Sequence, residues 1–227
     1  MDQLVEILKK SSLFSHLSDE VIEQDILPRG RMREFPKGSY LVQIQERYCG
    51  FGIVVKGKVN LMHINFDGNY GIIGALEQND LFGVDLICTR SSISPYYAIA
   101  VQPTQMLYFP ASMVLDPGTL PEDLRLSVLR HMLTYIADEN MRKEYRLAIL
   151  FQKGIRDRIM TYLTMQANKR HSATFTIPFT RDELASYLCV NRTCLSHELT
   201  LMKQEGLIEC RLSTFTLLNY NPNHGEF

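Results

Sequence analysis

Between Pro121 and Gly154 the chain contains neither proline nor glycine. Proline suits the start of a helix, where its missing N–H would have no partner, and the acids that follow, Glu122 and Asp123, complement the partial positive charge of a helix N-terminus. The run therefore reads as one long helix and divides the chain in two. Stepping alternately three and four residues from Leu126 gives Leu126, Leu129, Leu133, Ile136, Asn140, Lys143, Leu147 and Leu150, an apolar seam with a polar interruption at its middle. A parallel dimer of two such helices would bury the seam, with Asn140 fixing register at some cost in stability. Packing of the same stripe against the chain's own β domain is the competing reading. Gly154 offers a hinge, after which "IRDRIMTYLTMQA" begins a second amphipathic helix.

What precedes the long helix has another texture. Residues 1 to about 27 read as a helical lead-in with Leu4, Ile7 and Leu8 on one face. From Phe35 short β-branched and aromatic runs follow one another, each closed by Lys-Gly, Asp-Gly or Asn-Asp, and Asp67-Gly68 is a good hairpin turn. Strands continue through "YYAIAV" and "QMLYF" to about Phe109. The expected fold class is α+β: an N-terminal antiparallel β-roll or barrel over residues 1–118, a helix and hinge over 119–153, and a smaller helical domain over 154–227.

That last segment holds "TRDELASYLCVNRTCLSHELTLMKQEGLIE". Thr180 can accept an orphan amide bond and Glu183 completes a capping box, so a helix starts there with Leu184, Ala185 and Leu188 inward. Cys189, Val190 and Asn191 make a turn. A second helix follows, with Leu195, Leu199 and Met202 inward and Arg192, Thr193, Ser196 and His197 outward near its N-terminus, where a DNA-reading helix presents side chains to base edges. "LIECRLSTFTLLN" closes the unit as a two-stranded wing. Thr180, Arg181 and Asn191 stand at helix ends where phosphates are held. Cys189 occupies the turn position that glycine often takes to reach positive φ, so it must tolerate strain.

Charge is compatible with this and decides little. The chain carries a net charge of -1, with 15 Lys and Arg against 18 Asp and Glu through residue 150 and 9 against 7 beyond it. Nucleic-acid affinity can come from a few placed cations and amides. The five cysteines, Cys49, Cys88, Cys189, Cys194 and Cys210, nowhere form C-x-x-C, which argues for reduced thiols rather than a zinc or iron–sulfur framework. No apolar run approaches the roughly 18 residues of a membrane span, and Asp2 and Glu6 stand where a signal peptide would be basic, so the expected location is the cytoplasm.

With these motifs in place the chain resembles the CRP/FNR family of bacterial transcription regulators, typified by the cyclic-AMP receptor protein and the fumarate/nitrate regulator. "VKGKV" and "NDLFG" are similar to the family's β-roll, the long helix to its dimerisation helix, and residues 180–208 to its winged helix-turn-helix. The resemblance implies a homodimer on a near-palindromic double-stranded operator, contact with RNA polymerase, and an effector in the roll that shifts the reader's pose.

The chain departs from its relatives where they bind effectors. A cyclic phosphate needs a cation and small donors, and cyclic-nucleotide members supply G-E-x-x-L with a later Arg-Ser. Here the cassette reads Gly83, Val84, Asp85, Leu86, and the Arg-Ser places fall on about Pro95 and Tyr96. Asp85 could stand in for the ribose carboxylate, with only Arg90, in a loop, as a candidate cation. Oxygen-sensing members of the family carry an N-terminal cysteine cluster that supplies thiolates to an iron–sulfur centre, and no cysteine precedes Cys49 here. Haem would need a placed His or Cys ligand, and His16, His63, His131, Cys49 and Cys88 read as scattered singles. Cys189 and Cys194 read as inert thiols in a helix core. No cofactor is expected. Tyr96 and Tyr97 could line an aromatic pocket with Gly83, Val84 and Asp85, and Lys143 would face it, which would suit an acidic or phenolic effector.

Two rival functions remain. A cupin-like metal enzyme would need an H-x-H pair, and the sequence has none; no G-x-S-x-G or phosphate loop points to another catalytic class. A ligand-binding roll without DNA binding would leave the intact reader unexplained.

Overall fold

The computed structural model describes residues 2–64 and 70–220. The chain divides into two compact units, Met1–Glu139 and Asn140–Phe227.

The first unit opens with α1 (Asp2–Lys10), whose Val5, Ile7 and Leu8 are buried. Ser18 caps the short α2 (Asp19–Val21), which runs on into a π turn (Ile22–Ile26) and a 3-10 turn (Leu27–Arg29). Ile22 and Ile26, one turn apart, are fully buried. The lead-in is thus part of the core. Strands β1 (Arg31–Phe35), β2 (Tyr40–Val42), β3 (Gly50–Lys56), β4 (Val59–Ile64), β5 (Tyr70–Leu76) and β6 (Leu81–Phe82) lead to α3 (Val84–Ile87). Then come β7 (Tyr97–Ala100), β8 (Thr104–Pro110), α4 (Ser112–Leu115) and α5 (Glu122–Leu150). Two four-stranded antiparallel sheets form, in the orders β1-β8-β3-β6 and β2-β7-β4-β5. The turn assigned to Asp67-Gly68 lies outside the described residues.

The period of two along β3 and β8 sorts side chains into two cores. Phe51, Ile53, Val55, Leu107 and Phe109 join α1 and the first half of α5, whereas Met106 and Tyr108 point into the roll with Tyr48, Phe82 and Tyr96. The roll is tight because β3 carries glycine on that side. A Cβ on Gly50 would overlap the Tyr108 ring, and one on Gly52 would come within 2.7 Å of Met106. The start of the roll lies earlier than the pattern at Phe35 suggests. Strand β1 reads "RMREF", four of its five residues are exposed, and among the described residues it pairs with β8 alone, at the sheet edge. Charged side chains suit an edge, where they discourage pairing with another chain, and they erase the apolar alternation by which a strand is recognised.

Along α5, Val128 and Met132 are buried in the first core and Leu129 and Ile136 pack against it, while Leu126 and Leu133 stay 51% and 69% exposed. The seam is divided: half its apolar residues in this unit serve the chain's own core and the other half do not.

In the second unit, Ile149 at the end of α5 joins a core with α6 (Ile155–Arg170), α7 (Arg181–Tyr187) and α8 (Arg192–Gln204). Strands β9 (Thr174–Thr176), β10 (Ile208–Arg211) and β11 (Thr214–Leu217) form a sheet in the order β10-β11-β9. The wing therefore has a third strand, tied on by hydroxyl contacts of Thr174 with Thr216 at 3.0 Å and Thr176 with Thr214 at 2.9 Å. Gly154 is the N-cap of α6 with φ -98° and ψ 153°, extended backbone open to any residue, so glycine's special freedom is not used there.

His16 and His131, read from the sequence as unrelated, stack with ring centroids 3.6 Å apart and planes 1° from parallel. His131 Nδ1 donates to the Ser127 carbonyl at 2.9 Å, and His16 Nε2 lies 2.8 Å from Ser127 Oγ. The two are 115 positions apart in sequence, beyond any local pattern. Burial first, then the neighbouring ring, holds His16 below the ordinary imidazole value. Between that lowered value and about 6.5 the unfolded chain binds more protons at His16 than the folded one, so this contribution to stability is complete above about pH 6.5 and is lost as the pH falls. Thermal unfolding followed from neutral to mildly acidic pH should show a decline in midpoint that His16→Gln reduces. An unchanged acid slope in the variant would show that the stacked pair is not linked to stability.

Candidate functional site

The helix-turn-helix is set by local rules. The Thr180 hydroxyl accepts from the Glu183 N–H at 3.3 Å and the Glu183 carboxylate accepts from the Thr180 N–H at 2.8 Å, a full capping box. Leu188 ends α7, and Cys189 then takes φ +52°, the left-handed region that L-residues with a Cβ enter at a cost. Asn191 caps α8, its Oδ1 accepting from the Thr193 N–H at 2.8 Å. Arg158 of α6 donates to the carbonyl oxygens of Leu188 at 3.2 Å and Cys189 at 3.5 Å, so acceptors freed at the end of α7 are satisfied.

Leu195, Leu199 and Met202 are buried, and Arg192, Thr193, Ser196 and His197 are exposed on the opposite face of α8. Four side chains able to hydrogen-bond base edges thus share one face of the first turns of a helix. Arg192 Nε lies 3.3 Å from Asp182 Oδ1 on α7. Of the three residues expected to meet phosphates, Thr180 and Asn191 use their side-chain oxygens as caps, and Arg181 lays its guanidinium over the Phe215 ring, 4.9 Å from the centroid. In the free protein these three therefore stabilise the fold of the reader.

Arg156, on α6, is a member of this site that sequence reasoning missed. Its Nε donates to Glu198 at 2.6 Å, and its two terminal nitrogens donate to Glu205 at 2.7 and 2.9 Å. Hydrogen bonds to Glu205 and then Glu198 raise its already high pKa, so it stays a cation at every working pH. The signal was present as Glu198 and Glu205, two turns apart on one helix face, but their partner lies 42 residues from the nearer of them. Cys189 and Cys194 also differ from expectation: both are exposed, not in a helix core. The inward stripe of α8 runs through Leu195 and Leu199, which turns Cys194 to solvent, and the left-handed turn carries Cys189 outward. The Arg146 guanidinium reaches within 4.0 Å of the Cys189 sulfur and lies 5.2 Å from the Tyr187 ring centroid.

In the roll, Gly83 has φ +82°, and a Cβ there would sit 2.5 Å from the Tyr48 ring and 2.7 Å from the Gly50 carbonyl oxygen, so this position requires glycine. Val84 is buried in the core shared with α1, away from the inner face. Tyr96 is 6% exposed, and its hydroxyl contacts both Asp85 oxygens at 3.2 and 3.1 Å. The carboxylate that could have met a ribose hydroxyl thus already holds a phenol. Burial, then the Asp85 charge, pushes the Tyr96 hydroxyl far above the ordinary phenol range, keeping it a donor. Tyr97 belongs elsewhere. Ala98 and Ala100 are the inward residues of β7, so Tyr97 falls on the other face, its ring 5.7 Å from Tyr40. Lys143 is exposed on the part of α5 within the second unit. The Tyr48 hydroxyl is buried with no hydrogen-bond partner among the described residues. Among the described residues no three His, Cys, Asp or Glu group so as to hold a metal, and no helix is long and apolar enough to cross a membrane.

A β-roll followed by a long helix and a winged helix-turn-helix defines a class of DNA-binding regulator. The cyclic nucleotide-binding domain family matches residues 32–116, and the Crp-like helix-turn-helix domain family matches residues 157–221. The transcriptional activator protein FnrA of Stutzerimonas stutzeri is 26% identical over 191 residues, covering 82% of this chain and 75% of that protein. Solved structures share the fold at lower identity. FixK2 from Bradyrhizobium japonicum is 18% identical with TM-score 0.55, covering 86% of this chain and 94% of that one. CprK complexed with OCPA is 20% identical with TM-score 0.63, covering 88% and 92%. The chain belongs to the CRP/FNR family of transcription regulators, a family of regulators rather than enzymes.

The Asp85–Tyr96 contact has a consequence for ligands. Cyclic AMP should give no saturable heat in titration calorimetry at low micromolar concentration. Saturable binding lost on Asp85→Ala or Arg90→Ala would show a rebuilt nucleotide site.

Proposed function

We propose that the protein works as a homodimer on a near-palindromic double-stranded operator, with Arg192, Thr193, Ser196 and His197 reading bases and Thr180, Arg181 and Asn191 lying along the phosphates. The observation that carries this reading is the exposed polar face of α8, starting at a capped N-terminus on a turn tied to α6. Arg192 has the largest share, because a guanidinium can grip guanine O6 and N7 with two bonds, worth roughly 1–3 kcal/mol of discrimination per half-site. Thr193 suits a thymine methyl. A regulator of this family with its reader intact also meets RNA polymerase.

The dimer seam consists of Leu126, Leu129, Leu133, Ile136, Asn140, Leu147 and Leu150. The exposure of Leu126, Leu133 and Leu147, 51%, 69% and 45%, on the seven-residue repeat that Asn140 completes, supports it, because apolar residues at that period need a partner helix. Activity is set in the roll by a small organic effector other than a cyclic nucleotide; the filled Asp85 carboxylate and the absence of an Arg-Ser pair at Pro95 and Tyr96 favour this. The functional division follows residues 1–118, 119–153 and 154–227 as sensor, dimerisation helix and reader.

Selection of binding sites from random duplexes tests the reader. The native chain should return an inverted repeat with a guanine in each half-site, and Arg192→Ala should lose the preference at that guanine. Equally sharp selection by both proteins would refute base reading by Arg192. Leu126→Glu with Leu133→Glu, both at exposed positions, should sediment as a monomer, and a dimer that persists would refute the seam.

A further inference from the structure

Arg192 is the first residue of α8, where the helix dipole disfavours a cation, and the first turn of α8 carries no acid. The counter-charge comes from another helix: Asp182, the second residue of α7, places Oδ1 3.3 Å from Arg192 Nε. Both side chains are exposed, 64% and 68%, so the pair lies on the reading surface rather than in the core.

The nitrogen engaged is the one that matters. A guanidinium can meet guanine O6 and N7 end-on, through its two terminal nitrogens, or side-on, through Nε and one terminal nitrogen. Asp182 stands beside the side-on edge as an ion-pair partner of Nε rather than a hydrogen-bond acceptor, so its charge biases that edge while the two terminal NH2 groups remain for a base. Asp182 also limits the rotamers of a long, freely turning side chain. The same carboxylate repels phosphate, so it lowers attraction to DNA of any sequence while favouring one pose of Arg192.

We propose that Asp182 is a specificity-determining residue: it positions Arg192 for end-on recognition of a guanine and trades general affinity for that selectivity. The inference rests on the reading of Arg192 as a base-contacting side chain. A separation of 3.3 Å is long for a charge-assisted hydrogen bond, so the pair is held chiefly by charge, and the isosteric Asp182→Asn removes the effect while preserving shape.

The test is a double-mutant cycle with the full-length native chain, Asp182→Asn, Arg192→Ala and the double variant. Each is titrated against the selected operator duplex and against the same duplex with the half-site guanine pairs replaced. Asp182→Asn should bind both duplexes more tightly than the native chain but with the ratio between them reduced about fivefold, the scale of an exposed ion pair. In the Arg192→Ala background the ratio should already be low and Asp182→Asn should not change it. If Arg192→Ala leaves the ratio intact, the base-reading role itself fails. If Arg192→Ala abolishes the ratio but Asp182→Asn leaves it at the native value, or lowers it equally in both backgrounds, Asp182 does not act through Arg192 and the proposal is overturned.

Discussion

The reader depends on the grip of Arg156 on α8. One guanidinium on α6 holds two carboxylates two turns apart, Glu198 from Nε and Glu205 from both terminal nitrogens. Apolar packing of Leu195, Leu199 and Met202 buries α8 but tolerates rotation and sliding, whereas a forked donor fixed on Glu198 and Glu205 does not. Arg158, two residues on, ties the turn before α8 through two carbonyls. With both ends of α8 referred to the same helix, the outward face of Arg192, Thr193, Ser196 and His197 has a defined direction. The positive φ of Cys189 is the cost of a turn short enough to keep it so.

The roll applies the opposite logic. Gly50 and Gly83 admit the Tyr108 and Tyr48 rings close to the backbone and Gly52 admits Met106, and Tyr48, Tyr96, Tyr108 and Phe82 occupy its interior. The family's fold is kept, Pro95 and Tyr96 stand at the Arg-Ser places, and the Asp85 carboxylate is engaged by Tyr96.

What could be read from the sequence was what local rules decide. The Thr180–Glu183 box, the strained Cys189 and the inward residues of α7 and α8 depend on neighbours within four positions, and each stands as the spacing implies. What could not be read depends on distant partners: the His16–His131 stack, the Arg156 clamp and the Asp182–Arg192 pair each need the chain to be folded first. Strand β1 was hidden because an edge strand rich in charge shows no alternation. Tyr97 was grouped with Tyr96 although adjacent residues near a strand point to opposite faces, a rule that would have separated them.

The central claim is that two copies of α8 enter successive major grooves and that Arg192 meets guanine there. Dimethyl sulfate probes this directly, because it methylates guanine N7 in the major groove and adenine N3 in the minor groove. On a selected operator the native chain should protect one guanine N7 in each half-site, the two roughly 10 base pairs apart, and Arg192→Ala should leave both reactive. Protection confined to adenine N3, or guanine protection unchanged in Arg192→Ala, would contradict the account.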